Sequence, residues 1–380
     1  MKTKYFKYIF IIFAIAIMIF AIIKIKGDEQ KKENTTTETK QEETTEVTEL
    51  KLGVASFDSI NPILSKNKNV QDISKIIFEP LMTLTKDYKL EYCLAKEWAK
   101  QSETVYLIKV KDNRKWADGQ KFTADDVKFT IDRLKDSNTI YSANVQHVTT
   151  VEVVDSTTIR ITLDQEVPFF EYNLTFPILS KTFYDSQDFN NTGIVPVGTG
   201  MYKVDSVQQN YITCTKNSNW WNRETNLSLE KININVYESV GELYNAFKLG
   251  NVDIVSTDNT NIQDYIGTIG YSTKEIKGRE HDFIAFIQND LLNRQEIRRA
   301  ISYSIDKNNI ISNVYQNKYY TSSFPLDFGS WVYQEQDSSA GYNPDQANQL
   351  LTENGWVFRN GYWQKTENYK TKKIELNFIV

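Results

Sequence analysis

The first apolar pattern in the chain is continuous rather than periodic. Residues 8–23, Tyr-Ile-Phe-Ile-Ile-Phe-Ala-Ile-Ala-Ile-Met-Ile-Phe-Ala-Ile-Ile, carry no charge. With Tyr5 and Phe6 included, and Lys7 and Lys24 reaching outward along their stems, the run is about 20 residues, enough at ~1.5 Å each to cross ~30 Å of hydrocarbon. Lys2, Lys4 and Lys7 precede it and favour an inside N-terminus, while Lys24 and Lys26 pull the other way. The exit, Ile-Ile-Lys-Ile-Lys-Gly, offers no small-x-small cleavage site, and no cysteine occurs before Cys93. The expectation is an uncleaved signal anchor over residues 1–26, with a cleaved signal peptide as its competitor. Residues 27–47 are nearly all polar and cannot bury enough apolar surface to offset their ordering entropy, so they read as a disordered linker.

Periodic patterns begin at Leu50. Leu50, Leu52 and Val54 alternate as in a half-buried strand, followed by the turn-rich Ser-Phe-Asp-Ser-Ile-Asn-Pro62. In Val105–Val110, Val105, Leu107 and Lys109 share one face and Tyr106, Ile108 and Val110 the other, so both faces are at least partly buried. Thr123 as N-cap with Asp126 three residues on is a capping-box variant, opening a helix whose stripe is Val127, Ile131 and Leu134. Residues 149–163 read as a hairpin turning at Asp155-Ser156. The stripe Ile297, Ala300, Ile301, Ser304 and Ile305 predicts a second helix. Asn343-Pro344 predicts an N-cap and N1 for a third, which Gly355 should end. Strands and helices mix without steady alternation, and no internal repeat is present, so the fold class is α/β (mixed α+β) with more than one lobe.

The net charge of −5 excludes a broad basic face for nucleic acid. Aromatics reach 13 %, which suits either a large core or a ring-lined cleft. Cys93 and Cys214 are either buried free thiols or halves of one disulfide, and His147 and His281 leave little for metal or triad chemistry. No phosphate loop, zinc helix or nucleophile elbow occurs. Asp125-Asp126 sits where a helix's first turn favours negative charge. The run Gly193–Gly200 reads as a tight turn, Asp118-Gly119 as another, and Trp116 as core. These features give no enzyme, no cofactor and no metal site; they describe an exported binding or interaction module.

Several segments, in order, resemble the family 5 extracellular solute-binding proteins. Ser59-Ile-Asn-Pro62 resembles the turn after the family's first strand, with Asn61 for the usual Asp. Ile77-Phe-Glu-Pro-Leu81 and Leu94-Ala-Lys-Glu-Trp98 resemble the next stretch, with Pro80 for a common Gly. Lys115-Trp-Ala-Asp-Gly-Gln-Lys-Phe-Thr-Ala-Asp-Asp-Val127 is the most specific match. Val167-Pro-Phe-Phe170, Pro196–Tyr202, Arg298–Asp306 and Tyr342–Trp356 fit as well, so the resemblance spans residues 50–380.

The resemblance implies a bilobal periplasmic-binding-protein-like fold of type II with an extra subdomain. Residues 48–78 and 167–275 would form the first lobe, 79–166 the extra subdomain, and 276–380 an incomplete second lobe, only partly ordered. The closing Ile374, Leu376 and Phe378 would lie on one face of a strand. It also implies a receptor of an ABC importer that captures peptides or another small solute outside the cytoplasm and delivers them to permease subunits. A truncated or non-transport tethered sensor or scaffold is the alternative. Implied ligand contacts fall on Lys66, Asn67 and Lys68 after the first strand, on Tyr141, and on the strand Asp282-Phe283-Ile284 at the crossover into the second lobe. Plainer readings stand beside these: a solvated loop for Lys66 and Lys68, and core packing for Phe283.

Overall fold

The computed structural model describes residues 47–136, 138–267, 270–276, 278, 280–322, 326, 329–333 and 341–379. The expected anchor, and all of the expected linker except Val47, lie outside these residues. Among the described residues no helix is long and apolar enough to cross a membrane. The chain divides into two compact units, residues 1–257 with 262–268, and residues 258–261 with 269–380.

In the first unit, in chain order, come β1 (Glu49–Ala55), α1 (Lys68–Ile77), β2 (Met82–Leu84), β3 (Leu90–Tyr92), β4 (Ala95–Lys100) and β5 (Val105–Val110). Next are α2 (Ala124–Asp136), α3 (Ser142–Val145), β6 (Val148–Asp155), β7 (Thr158–Leu163) and α4 (Lys181–Tyr184). The unit ends with β8 (Tyr202–Gln208), β9 (Tyr211–Lys216), β10 (Lys231–Tyr237), α5 (Val240–Lys248) and α6 (Ile262–Ile266). One four-stranded sheet has the order β1-β10-β9-β8, with β1 and β10 parallel and the other pairs antiparallel. A second, β4-β5-β7-β6, is antiparallel throughout, and β2 pairs with β3.

The expected hairpin is β6–β7, with Val151 opposite Ile161 and Val153 opposite Ile159. In β5 the Tyr106, Ile108 and Val110 face is buried, while Val105 and Leu107 are half-buried and Lys109 is exposed. Half of the expected capping box at Thr123 forms. The Thr123 backbone N–H donates to Asp126 Oδ2 at 2.8 Å, and the Asp126 N–H returns to the Thr123 carbonyl. Asp126 is buried and also accepts from the Lys181 N–H and the Trp116 indole, so it serves the fold. Burial raises its pKa, against the hydrogen bonds from Thr123, Lys181 and Trp116. Trp116 is core, and Gly119, at φ +90°, supplies the left-handed residue of the Asp118-Gly119 turn. Cys93 and Cys214 are both buried free thiols, and burial pushes the Cys214 thiol up to about 12.

The second unit holds α7 (Gln295–Ser304), α8 (Lys307–Asn313), α9 (Pro344–Glu353) and an antiparallel sheet of β11 (Val357–Arg359), β12 (Tyr362–Glu367) and β13 (Lys370–Lys373). Asn343 caps α9 by accepting from the Gln346 N–H, with Pro344 at its start. Ile297, Ala300, Ala347, Leu351 and Trp356 form this unit's core. Arg294 clasps Glu367 through two hydrogen bonds, and these, with Lys365, push the Glu367 carboxyl down to about 2. Two expectations fail here. Residues 282–284 form no strand, because among the described residues they have no neighbouring strand to complete a ladder. Beyond β13 the chain also leaves the sheet: Ile374 packs on the core, but Leu376 and Phe378 are exposed.

The Gly193–Gly200 run does more than turn. Gly200 N–H donates to the Ile77 carbonyl at 2.8 Å, at the end of α1. A Cβ on Gly198 would lie 1.9 Å from that same carbonyl oxygen, so glycine is required by the approach of two backbones. Gly198→Ala is therefore expected to cost about 2 kcal/mol or more, as overpacking against an unyielding backbone does. Gly193→Ala, whose Cβ would meet Asn191 Oδ1 at 3.4 Å, should change little. Urea unfolding midpoints compare the two variants; equal midpoints would contradict the packing argument.

Candidate functional site

The carboxyl ends of parallel β1 and β10 lie side by side, Ala55 opposite Tyr237. In open α/β sheets this is where ligands are bound, because the loops that follow parallel strands gather there. The chain leaves β1 through Ser56, a non-glycine residue at φ +67°, whose N–H donates to the Tyr237 carbonyl at 3.1 Å. Such strain persists where the surroundings over-determine it, and they do so here.

The loop from Ser56 to Lys68 is closed by its own side chains. Asp58 Oδ1 accepts from the Ser59 N–H and, at 2.5 Å, from the Ser65 hydroxyl. Ser65 Oγ in turn accepts from the Asn67 N–H. Asn67 Nδ2 donates back to Ser56 Oγ at 2.8 Å, and its Oδ1 caps α1 by accepting from the Asn69 N–H. Asn69 Nδ2 donates to the Ala55 carbonyl. Gln71, one turn into α1, donates from Nε2 to the carbonyls of Pro62 at 2.8 Å and Ser65 at 2.7 Å. Its Oε1 accepts from the Tyr141 hydroxyl at 2.6 Å. Burial, with Asp72 as a lesser cause, raises the Tyr141 pKa, so the phenol stays protonated.

An open cleft of about 450 Å³ adjoins the end of β10, lined by Asn210, Asn235, Val236, Tyr237, Glu238 and Glu242. The Glu238 N–H donates to Glu242 Oε2 at 3.2 Å, and Ser239 caps α5. Sequence reasoning missed this cleft. Its signal was present in the alternation of Ile232, Ile234 and Val236 running into Ser239 with Glu242 three residues on, a strand followed directly by a capped helix.

Lys66 and Lys68 carry exposed side chains on either side of Asn67. Asn67 itself is committed to the loop, its amide spent on Ser56 and Asn69. Tyr141 is half-buried and tied to the same loop through Gln71. Asp282, Phe283 and Ile284 belong to the second unit and are exposed; Phe283, at 76 %, is not a core residue.

Just past α1 lies a buried acid, Glu79. Glu79 Oε1 accepts from the indole N–H groups of Trp221 at 2.9 Å and Trp220 at 3.2 Å. The Arg114 guanidinium stacks 4.1 Å from the Trp221 ring centroid. Burial dominates and raises the Glu79 pKa, with the two indoles and Arg114 opposing.

Comparison with known proteins places this architecture. Among solved structures, the chain is similar to NikZ from Campylobacter jejuni in complex with Ni(L-His), at TM-score 0.62 and 23% identity, covering 84% of this chain and 65% of that one. It is similar also to the oligopeptide-binding protein AppA from Bacillus subtilis in complex with a nonapeptide, at TM-score 0.58 and 21% identity over 86% of this chain and 68% of that one. The fold is thus the mixed α/β fold of type II periplasmic binding proteins. Residues 89–379 match the family described as "Bacterial extracellular solute-binding proteins, family 5 Middle", and the chain belongs to that family. A binding protein of Brucella melitensis is 27% identical over 300 residues, 70% of this chain and 48% of the relative. The chain spans about half the length of the curated relatives it matches. Membership of a solute-binding family agrees with the expectation that this is not an enzyme.

The raised Glu79 pKa has a stability consequence. A carboxyl whose folded pKa exceeds its unfolded value, near 4.5, stabilises fully below that value, and the contribution is lost as pH rises through the folded pKa. The stability of the native sequence relative to Glu79→Gln should therefore decline from pH 5 to pH 8, roughly the window above that unfolded value. Urea unfolding of both proteins across this range checks it; a difference independent of pH would mean that Glu79 is charged throughout.

Proposed function

We propose that the chain is the extracytoplasmic receptor of an ABC importer, that it captures peptides, and that it hands them to membrane permease subunits. The observation that carries this reading is the self-bonded loop Ser56–Lys68 at the carboxyl ends of β1 and β10, rigid before any ligand arrives. Preorganisation of this kind lowers the ordering cost of binding. Extended peptides suit such a rim, since their backbone groups hydrogen-bond as an added strand would. The likeness to a nonapeptide-bound AppA supports the peptide class, and the likeness to a Ni(L-His)-bound NikZ makes a small metal chelate the competing solute.

In this reading Lys66, Asn67, Lys68 and Tyr141 form the first-lobe side of the site. Asp282, Phe283 and Ile284 contribute from the second lobe, which begins near residue 276; the first lobe comprises 48–78 and 167–275, and 79–166 is the extra subdomain. The apolar run at residues 8–23 holds the protein at the outer face of the membrane.

Two measurements test the proposal. Calorimetric titration of the full chain with a mixture of tri- to nonapeptides should give saturable heat, which nickel-histidine should not. Silence with both would favour the tethered sensor or scaffold. Mass spectrometry of the membrane fraction should find the N-terminus upstream of residue 8; a mature N-terminus at or after Gly27 would mean the anchor is cleaved.

A further inference from the structure

We propose that the sheet β11-β12-β13 of the second unit docks on anionic lipid headgroups, with Tyr369 at the contact. The proposal rests on the tethered reading above and adds a lipid surface as a partner of that unit.

Two turns of the same sheet make the first observation. Asn360-Gly361 joins β11 to β12 between the paired Arg359 and Tyr362, and Asn368-Tyr369 joins β12 to β13 between the paired Glu367 and Lys370. All four turn residues have positive φ, 52° and 80° in the first turn and 49° and 61° in the second. Two-residue hairpins of this kind are type I′, and their second position favours glycine. The first turn has its glycine. The second has a tyrosine, a bulky residue for which a left-handed backbone is an outlier. Packing gives nothing in return, because Tyr369 is 103 % exposed. A strained aromatic held at an exposed tip points to a contact outside the chain.

Charge is the second, independent observation. Residues 357–373 hold Arg359, Lys365, Lys370, Lys372 and Lys373 against a single acid, Glu367, in a chain whose net charge is −5. Glu367 shares its face of β12 with Trp363, which packs on the unit's core, and it is held there by Arg294 and Lys365. Lys372 is paired with Asp290. Arg359, Lys370 and Lys373 are left exposed. On the face away from the core Arg359 lies across from Tyr362, and Lys373 Nζ stands 5.1 Å from the Tyr362 ring centroid. No acid shares that face. Cations beside exposed rings match a headgroup layer, where Lys and Arg meet phosphate and tyrosine sits between polar and apolar. In the tethered reading the apolar run at residues 8–23 keeps such a layer within reach.

Three full-chain proteins test this: native, Arg359→Gln with Lys373→Gln, and Tyr369→Gly. Each would be reconstituted in nanodiscs of phosphatidylcholine with and without phosphatidylglycerol, and backbone hydrogen exchange read at residues 368–373. One cation near an anionic surface is worth about fivefold in partition. Native exchange should therefore slow about tenfold when phosphatidylglycerol is present, recover on adding salt, and slow little in the double variant. Tyr369→Gly should raise the urea midpoint, since glycine at positive φ relieves more strain than it costs in chain entropy, and yet lose part of the slowing. Equal exchange in the two lipids, or slowing that the double variant retains, overturns the proposal. A lower midpoint for Tyr369→Gly does so too, because the ring would then be packing on its own chain. Slowing by soluble poly(glycerol phosphate) but not by phosphatidylglycerol would assign the face to a polymer and overturn the lipid. If no protein enters the discs, the tethered reading fails. Flotation with phosphatidylglycerol vesicles then decides: salt-reversible binding of the native protein alone upholds the lipid-facing sheet, and no binding overturns it.

Discussion

The first unit is organised around six consecutive residues, Ile77 to Met82, whose backbone is claimed from every side. The Ile77 carbonyl accepts from Gly200, Glu79 O from Ile178, Pro80 O from Leu94, and Leu81 O from Cys93 and Ala95, while the Met82 N–H donates to Leu174 O. Ile77, Phe78, Leu81 and Met82 are all buried apolar side chains, so these hydrogen bonds are made where water cannot substitute for them. The chain must therefore bring residues around 93, 174, 178 and 200 to one line, and the glycines at 198 and 200 are the condition for doing so.

Helix α1 carries this constraint to the loop that follows β1. Its last turn is pinned to the line at Ile77, and its first turn bears Asn67, Asn69 and Gln71, the side chains that close the loop after β1. Val70, Ile73, Ile76 and Ile77 seat the helix in the core between these ends. A short helix fixed at one end and bonded to a loop at the other has little freedom to reorient. The strain at Ser56 and the exposed positions of Lys66 and Lys68 are thus tied to packing at the far end of the helix.

What the sequence revealed and what it hid divide along one line. Local signals were legible: the alternation of Leu50, Leu52 and Val54, the Thr123–Asp126 box, the β6–β7 hairpin, and the Asn343-Pro344 cap each need a few neighbouring residues. Long-range signals were not. Nothing near Glu79 announces Trp220 and Trp221, which approach it from more than 140 positions away. The 193–200 glycines looked like a turn because the backbone they pack against is remote in sequence. The bonds that tie Asn67 to Ser56 and Tyr141 to Gln71 were not legible either, because their partners lie 11 and 70 positions away. The strand expected at 282–284 failed for the same reason, since a strand is defined by a partner that its own residues do not encode.

The buried acid also shows how residues distant in sequence are joined without a conventional ion pair. Lys111 and Arg114, at the end of β5, both approach the Trp221 ring, and burial lowers the pKa of each. Two neighbouring cations facing an acid that burial drives toward neutrality should repel. Each instead has a local partner: Lys111 Nζ donates to the Cys93 carbonyl at 2.7 Å, and Arg114 Nη1 donates to Asn113 Oδ1 while its plane lies on the indole. The indole N–H donates at the same time to Glu79, so one ring accepts positive charge on its face and offers a proton at its edge. A junction of this kind draws on the ring quadrupole as well as on charge, so ionisation of Glu79 weakens it while the contact between guanidinium and indole remains.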